Sequence, residues 1–103
     1  MRVYHDERIP FRIVHELSIR GFLQGGKASA LDFLRDDVAV RNAVFITASE
    51  DAVLATLAQS GLAVIILPTT ELEHVMAMMP QLVSAISSAR AGQFSRLAKP
   101  TES

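Results

Sequence analysis

Residues 62–67, Leu-Ala-Val-Ile-Ile-Leu, are the longest strongly apolar run of the chain and give the strongest indication of its fold. Because every position in it is apolar, a strand built from it buries both faces, which is typical of a central parallel strand covered by helices on either side. Pro68 closes the run, which is far shorter than the roughly 20 residues that a membrane-spanning helix needs. The run therefore predicts an inner strand of a globular domain.

A strand and a helix precede this run. Residues 43–47, Ala-Val-Phe-Ile-Thr, are rich in β-branched and aromatic side chains and predict a second buried strand. Ser49 is a good N-cap for a helix, and Glu50 and Asp51 then fall in its first turn, where the helix dipole favours negative charge.

The longest helix follows the run. Thr70 and Glu73 have the spacing of a capping box that opens this helix. Pro80 interrupts it and predicts a kink or two short helices. Beyond residue 92 the sequence becomes polar, and residues 93–103 are expected to be a C-terminal tail.

The N-terminal third predicts a strand and two helices. Residues 3–5 form a short strand, and residues 10–21 run from a proline suited to a first helical turn to a glycine suited to a C-terminal stop. Residues 22–23 are a minimal strand before the flexible joint Gly25-Gly26. Ser29 caps a second, short helix. Strands that alternate with helices predict a small three-layer α/β domain over residues 1–92, with a mainly parallel sheet flanked by helices.

Composition excludes several classes of protein. Half of the 103 residues are apolar and 20% are charged, which excludes an intrinsically disordered chain. Cysteine is absent, so disulfides and thiolate metal sites are excluded. A net charge of -1 gives no overall basic field that would attract nucleic acid.

The distribution of charge along the chain indicates burial and location. Residues 42–89 contain no Lys or Arg and are expected to be mostly buried. Acidic residues stand where a secretory signal would be apolar, so we expect a cytoplasmic protein without a membrane segment.

Acidic side chains follow two of the predicted strands. Asp6 and Glu7 come after the first strand, and Ser49, Glu50 and Asp51 come after the second. Ligands of parallel sheets bind at the carboxyl ends of the strands, so these carboxylates are expected to converge there. Clustered carboxylates and hard oxygen ligands select Mg²⁺ or Mn²⁺, which can polarise a phosphate and activate water for phosphodiester cleavage. Alternatively, the acids after the second strand serve only the helix N-terminus, and the first pair starts a solvated loop.

Three segments carry a family resemblance. Residues 4–10, Tyr-His-Asp-Glu-Arg-Ile-Pro, resemble the opening of the PIN-like family, in which a first strand ends in an Asp-Glu pair and a proline then starts a helix. Residues 45–51 resemble that family's later strand, which ends in Thr with acids two and four residues beyond it. Residues 61–67 look like its next strand. The resemblance covers roughly residues 1–90 in order.

The resemblance implies a metal-dependent ribonuclease fold, often the toxin half of a toxin–antitoxin pair. It implies that Asp6 and Asp51 are the principal metal ligands and catalytic residues, that Asp32 is an intermediate acid, and that Thr47 supports the site by hydrogen bonding. The chain departs from the family at Ser49, where an acid is common. Glu7 is expected to assist catalysis, and Glu50 to replace part of the charge that Ser49 lacks.

Other side chains indicate partners. Arg8 and Arg12, on or near the first helix, are candidates for holding an RNA backbone beside the carboxylates; alternatively, they belong to a solvated helix face. Met76, Met78 and Met79 form an adaptable apolar set, expected in the core, at a homodimer interface or against an antitoxin peptide.

Two main hypotheses follow. The first is a PIN-like endoribonuclease that uses Mg²⁺ or Mn²⁺. The second is a catalytically degenerate PIN-like protein that acts as a protein–protein interaction or regulatory module. A third hypothesis, a receiver-like or nucleotide-binding α/β domain, lacks a suitable lysine and a phosphate-binding loop.

Overall fold

A computed structural model describes residues 1–35 and 38–98 of the chain. Within them, five strands alternate with helices, so the predicted alternation is confirmed and the number of strands exceeds the prediction. The strands are β1 (Arg2–His5), β2 (Gln24–Lys27), β3 (Ala43–Thr47), β4 (Ala63–Ile66) and β5 (Phe94–Arg96). The helices are α1 (Phe11–Ile19), α2 (Ala30–Leu34), α3 (Val53–Gln59), α4 (Leu72–Ala77) and α5 (Met79–Ser87).

The strands form one sheet in the order β2-β1-β3-β4-β5, and every neighbouring pair is parallel. This is one of the two common orders of doubly wound α/β sheets. The chain moves outward to β2 from β1 and then returns to add β3 on the other side. The strand order therefore reverses between β1 and β3, and ligands of such sheets bind at the carboxyl ends of the strands at this reversal.

Helices cover both faces of the sheet and form two cores. One core joins the sheet to α1, α4 and α5 through residues that include Ile13, Leu17, Val75 and Leu82. The other joins it to α2 and α3 through Phe33, Leu54 and other apolar side chains. The predicted three-layer α/β fold is confirmed.

The strands β3 and β4 are central because both of their faces are apolar. All residues of both strands are buried. Val44 and Ile46 face the core on the α1 side, whereas Phe45 faces the core on the α2 side. Burial of each large apolar side chain contributes about 1.5–3 kcal/mol to the free energy of unfolding. The loss of chain entropy on folding opposes this contribution.

The last crossover differs in hand from the others. The helix α3 leads from β3 to β4 on one face of the sheet, whereas α4 and α5 lead in the same direction from β4 to β5 on the other face. Two crossovers in one direction on opposite faces have opposite hands. The first three crossovers share one hand, so the connection to β5 is the exception to the strong preference for right-handed crossovers.

Two strands lie where the sequence did not predict them. The second strand occupies Gln24–Lys27, so the glycine pair predicted as a flexible joint is inside the strand. Gly25 has no side chain because a Cβ there would overlap the ring of Tyr4 on the neighbouring strand. The segment predicted as a tail contains β5, which pairs with β4. The part of that tail from residue 99 onward lies outside the described residues.

Two helix starts also differ from expectation. The helix α3 begins at Val53 with Ala52 as its N-cap, so Ser49 does not cap it and Asp51 precedes it. The predicted capping box of α4 is not formed, because Glu71 is the N-cap and has no side-chain cap hydrogen bond. By contrast, Ser29 caps α2 as predicted. The expected break near Pro80 is confirmed, since α4 ends at Ala77 and α5 begins at Met79.

Over residues 1–35 and 38–98, the helices are too short or too polar to span a membrane.

Candidate functional site

A cleft of about 480 Å³ lies at the carboxyl edge of the sheet, where the strand order reverses between β1 and β3. Its floor includes Phe45 and Leu54. The charged side chains that line it are Asp6, Glu7, Asp32, Asp51, Arg8 and Lys27. The structure thus brings four of the acids singled out in the sequence to one cleft.

Asp6 is held in place by contacts from three directions. Its amide donates to the Ile46 carbonyl at 3.1 Å, which extends the pairing of β1 with β3 by one residue. Its Oδ1 accepts a hydrogen bond from the Arg8 amide at 2.8 Å. Its Oδ2 accepts a hydrogen bond from the Thr47 hydroxyl. Because these contacts fix both the backbone and the carboxylate, Asp6 presents a preorganised negative charge.

Thr47 connects the ends of the two strands. The register places His5 opposite Ile46, so Asp6 and Thr47 follow side by side. The Thr47 side chain is buried, and its Oγ1 donates to Asp6 and accepts from the Ser49 amide at 3.1 Å. The supporting role predicted for Thr47 matches this contact, because a hydroxyl that donates to a carboxylate forms a charge-assisted bond and orients it.

Arg8 lies across the cleft from its own loop to the loop after β3. Its guanidinium Nη2 donates to the Ser49 Oγ at 2.7 Å. The guanidinium of Arg8 therefore contacts a neutral hydroxyl at position 49. Both residues line the cleft.

Asp51 and Asp32 have local hydrogen-bonding roles. Asp51 Oδ1 accepts from the Val53 amide at 3.0 Å, just before α3. Asp32 Oδ2 accepts from the Ser29 amide at 2.8 Å and completes the capping box of α2. These bonds stabilise helix starts and leave both carboxylates on the wall of the cleft.

The remaining predicted site residues are divided between the cleft and the outer surface. Glu7 lines the cleft and is exposed. Glu50 forms an ion pair with Arg96 of β5, with 2.5 Å between Oε1 and Nε, and it does not line the cleft. Arg12 is exposed on α1 and also lies outside the cleft lining.

His5 lies immediately before Asp6. Burial lowers the pKa of the imidazole below its ordinary value, Asp6 opposes this shift, and Lys27 on the neighbouring strand adds to it. The Nδ1 atom is inaccessible to water and has no hydrogen-bond partner among the described residues. Burial therefore disfavours the charged form of the His5 imidazole beside the site.

The predicted metal site depends on the carboxylates that line the cleft. Within residues 1–35 and 38–98, no three His, Asp or Glu side chains form a group that could hold a metal ion. Mg²⁺ is usually bound by one or two carboxylates, with water and substrate phosphates completing its shell. Asp6 and Asp51 both line the cleft, and their role as ligands of such an ion remains a prediction. The assignment of Asp32 as a third ligand stays a prediction.

Lys27 is a cleft residue that the sequence did not indicate. It is the last residue of β2 and stands opposite His5. Because β2 was predicted two residues too early and too short, Lys27 was not recognised as lying at the carboxyl end of a strand. An edge strand of Gln-Gly-Gly-Lys has little strand propensity, so only pairing with β1 reveals it.

The chain matches no family model, no curated protein and no solved structure in the comparisons with known proteins.

Proposed function

We propose that the protein is a PIN-like endoribonuclease that depends on Mg²⁺ or Mn²⁺ and cleaves RNA in this cleft. The observation that carries the proposal is the fixed Asp6 carboxylate at the strand reversal, with Asp51 and two cations in the same cleft. Four carboxylates against two cations leave the cleft formally negative, which favours a divalent cation and opposes a bare phosphate.

Each side chain has a distinct role in this proposal. Asp6 and Asp51 would hold the metal ion, which supplies polarisation of the scissile phosphate and activation of water. Thr47 keeps the Asp6 carboxylate oriented through its hydroxyl. Arg8 and Lys27 would bind the negative charge of the RNA backbone.

A specific contact favours a second candidate function. The hydrogen bond from Arg8 to Ser49 puts a cation and a hydroxyl where a third acid would strengthen metal binding. With this contact, the cleft has one carboxylate fewer than the family pattern, which weakens the binding of a catalytic metal ion. The second candidate is therefore a catalytically degenerate PIN-like protein that acts as an interaction or regulatory module.

One experiment separates the two candidates. End-labelled RNA is incubated with the wild type, with Asp6→Asn and with the matched control Glu73→Gln on α4, each with Mn²⁺ and with a chelator. The proposal predicts metal-dependent cleavage that is lost in Asp6→Asn and kept in Glu73→Gln. Equal cleavage by the wild type and Asp6→Asn contradicts it. Absence of cleavage by the folded wild type in Mn²⁺ favours the second candidate.

The toxin role, the antitoxin-like partner and the cytoplasmic location are parts of the same proposal and rest on the PIN-like resemblance. A toxin of this class should arrest growth when expressed, and Asp6→Asn should relieve the arrest. Normal growth of cells that express the wild type would contradict the toxin role.

The proposed homodimer needs a surface other than the methionine-rich segment. Met78 and Met79 are buried in the core of the chain itself, and Met76 packs against that core. Light scattering of the purified protein checks self-association directly.

A further inference from the structure

An ion pair links the edge strand β5 to the loop that carries two cleft residues. This cleft loop, residues 48–52, lies between β3 and α3 and belongs to neither element. Ser49 and Asp51 line the cleft, whereas Glu50 between them does not. Glu50 Oε1 instead contacts Arg96 Nε at 2.5 Å, across 46 positions of the sequence. The pair therefore ties the middle of the cleft loop to a point outside the cleft.

Arg96 is held by contacts of its own. It is the last residue of β5 and pairs in register with Ile66 of β4, which pairs in turn with Thr47 of β3. Neighbouring strands lie about 4.8 Å apart, so the Cα atoms of Arg96 and Thr47 are roughly 10 Å apart. The guanidinium carbon of Arg96 also lies 4.7 Å from the centroid of the Phe94 ring. Because its backbone and its side chain are both constrained, Arg96 is a defined anchor for Glu50.

The ion pair adds a third anchor to the cleft loop. At the start of the loop, Ser49 contacts Arg8 and Thr47. At its end, Asp51 accepts a hydrogen bond from the first amide of α3. The ion pair holds the centre of the loop from the β5 side of the sheet. A loop that is already ordered loses less conformational freedom when it contributes a ligand to a bound ion.

We propose that Glu50 and Arg96 are positioning residues, and that their ion pair holds the cleft loop so that Asp51 is preorganised for a divalent cation. This inference rests on the proposed function for the identity of the ligand. Neither member of the pair touches the cation, since both act through the loop that carries Asp51. Both side chains are more than half exposed, so the pair contributes little to global stability and acts on the order of the loop.

The sign of one substitution separates positioning from general electrostatics. Arg96→Gln removes a positive charge from the neighbourhood of an acidic cleft, which by itself strengthens the binding of a cation. Loss of the anchor has the opposite effect, because Asp51 must then be ordered when the cation binds. Weaker binding by Arg96→Gln is therefore a result that charge alone does not produce.

Titration calorimetry with Mn²⁺ measures this effect on the wild type, Arg96→Gln, Arg96→Lys and the control Arg90→Gln. The control removes the same charge from another exposed position. Thermal unfolding verifies that each variant folds. We expect Arg96→Gln to bind Mn²⁺ about two- to fivefold more weakly than the wild type. Arg96→Lys, which keeps a cation for Glu50, should retain the wild-type affinity, and Arg90→Gln should not weaken it.

Two results of the titration would overturn the inference. Unchanged binding of Mn²⁺ by Arg96→Gln would show that the ion pair does not position the loop. Tighter binding would show either the effect of charge alone or the release of Glu50 toward the cation, and both exclude a positioning role.

Hydrogen exchange of the Ser49 amide, measured in a chelator, separates this inference from the nuclease proposal. The anchor predicts faster exchange at this amide in Arg96→Gln and unchanged exchange in Arg90→Gln. A wild type that binds no Mn²⁺, with faster exchange in Arg96→Gln, removes the metal-dependent nuclease and leaves Arg96 as an anchor of the cleft loop. Metal-dependent cleavage that requires Asp6, with exchange and affinity unchanged in Arg96→Gln, leaves the nuclease and removes the positioning role.

Discussion

At the scale of single residues, Thr47 shows how one hydroxyl connects folding and the site. It ends a fully buried strand, yet its side chain is polar and is satisfied by Asp6 and by the Ser49 amide. Buried polar groups are stabilising only when their hydrogen bonds are made. The same two bonds that satisfy Thr47 also fix the carboxylate that the proposed chemistry needs.

Replacing Thr47 with Val is expected to lower the free energy of unfolding by about 2 kcal/mol, because a hydrogen bond to a charged group is lost and the Ser49 amide loses its acceptor. Urea unfolding followed by circular dichroism measures the change. The matched control is Thr56→Val at an exposed position of α3, which should change stability by less than about 0.5 kcal/mol. Equal effects of the two substitutions would contradict the role of the hydroxyl.

The lowered pKa of His5 predicts a pH dependence of stability. A folded-state pKa below the ordinary 6.5 means that the unfolded chain binds more protons between the two values. The contribution of neutral His5 to the free energy of unfolding is therefore fully present above pH 6.5. This contribution is lost as the pH falls from 6.5 through the folded-state pKa. Unfolding of the wild type and His5→Gln in a chelator, at several pH values across this window, should show a steeper loss for the wild type. Parallel curves would contradict this assignment.

At the scale of elements, β2 is positioned by close approach. The backbone φ of Gly25 is not positive, so its conformation does not require glycine. Glycine is needed for steric reasons, because the Tyr4 ring occupies the place where a Cβ would be. That ring meets Phe33 edge-on at 5.6 Å, and Phe33 meets Phe45 at 5.1 Å. The aromatic contacts thus run from Tyr4 on β1 to Phe45, which lines the cleft.

Gly25→Ala is expected to destabilise the protein by about 1–3 kcal/mol, because the new methyl group overlaps the Tyr4 ring. A double-mutant cycle with Tyr4→Ala tests the cause. Removing the ring makes room, so Gly25→Ala should have a smaller effect in the Tyr4→Ala background. Additive free energies of unfolding would show that the two residues do not interact.

At the scale of the whole molecule, stability should decrease from the centre of the sheet to its edges. The strands β3 and β4 are entirely buried, whereas β2 and β5 have partly exposed residues and a neighbour on one side only. Hydrogen exchange of the native protein should therefore find the most protected amides in β3 and β4 and earlier exchange in β2 and β5. Protection of β5 equal to that of β4 would contradict this order.

Local patterns were sufficient to predict several elements of this protein. The two-sided apolar run at 62–67 and the strand at 43–47 specified inner strands, and Pro80 specified a helix break, because burial and the missing amide act within a few residues. The strand order, the edge strands β2 and β5, and the set of side chains that meet at the cleft followed instead from contacts between distant parts of the chain. Weak strands form through pairing with neighbours that are distant in sequence. For this reason, no local pattern predicts that Lys27 lines the cleft or that Glu50 forms an ion pair with Arg96.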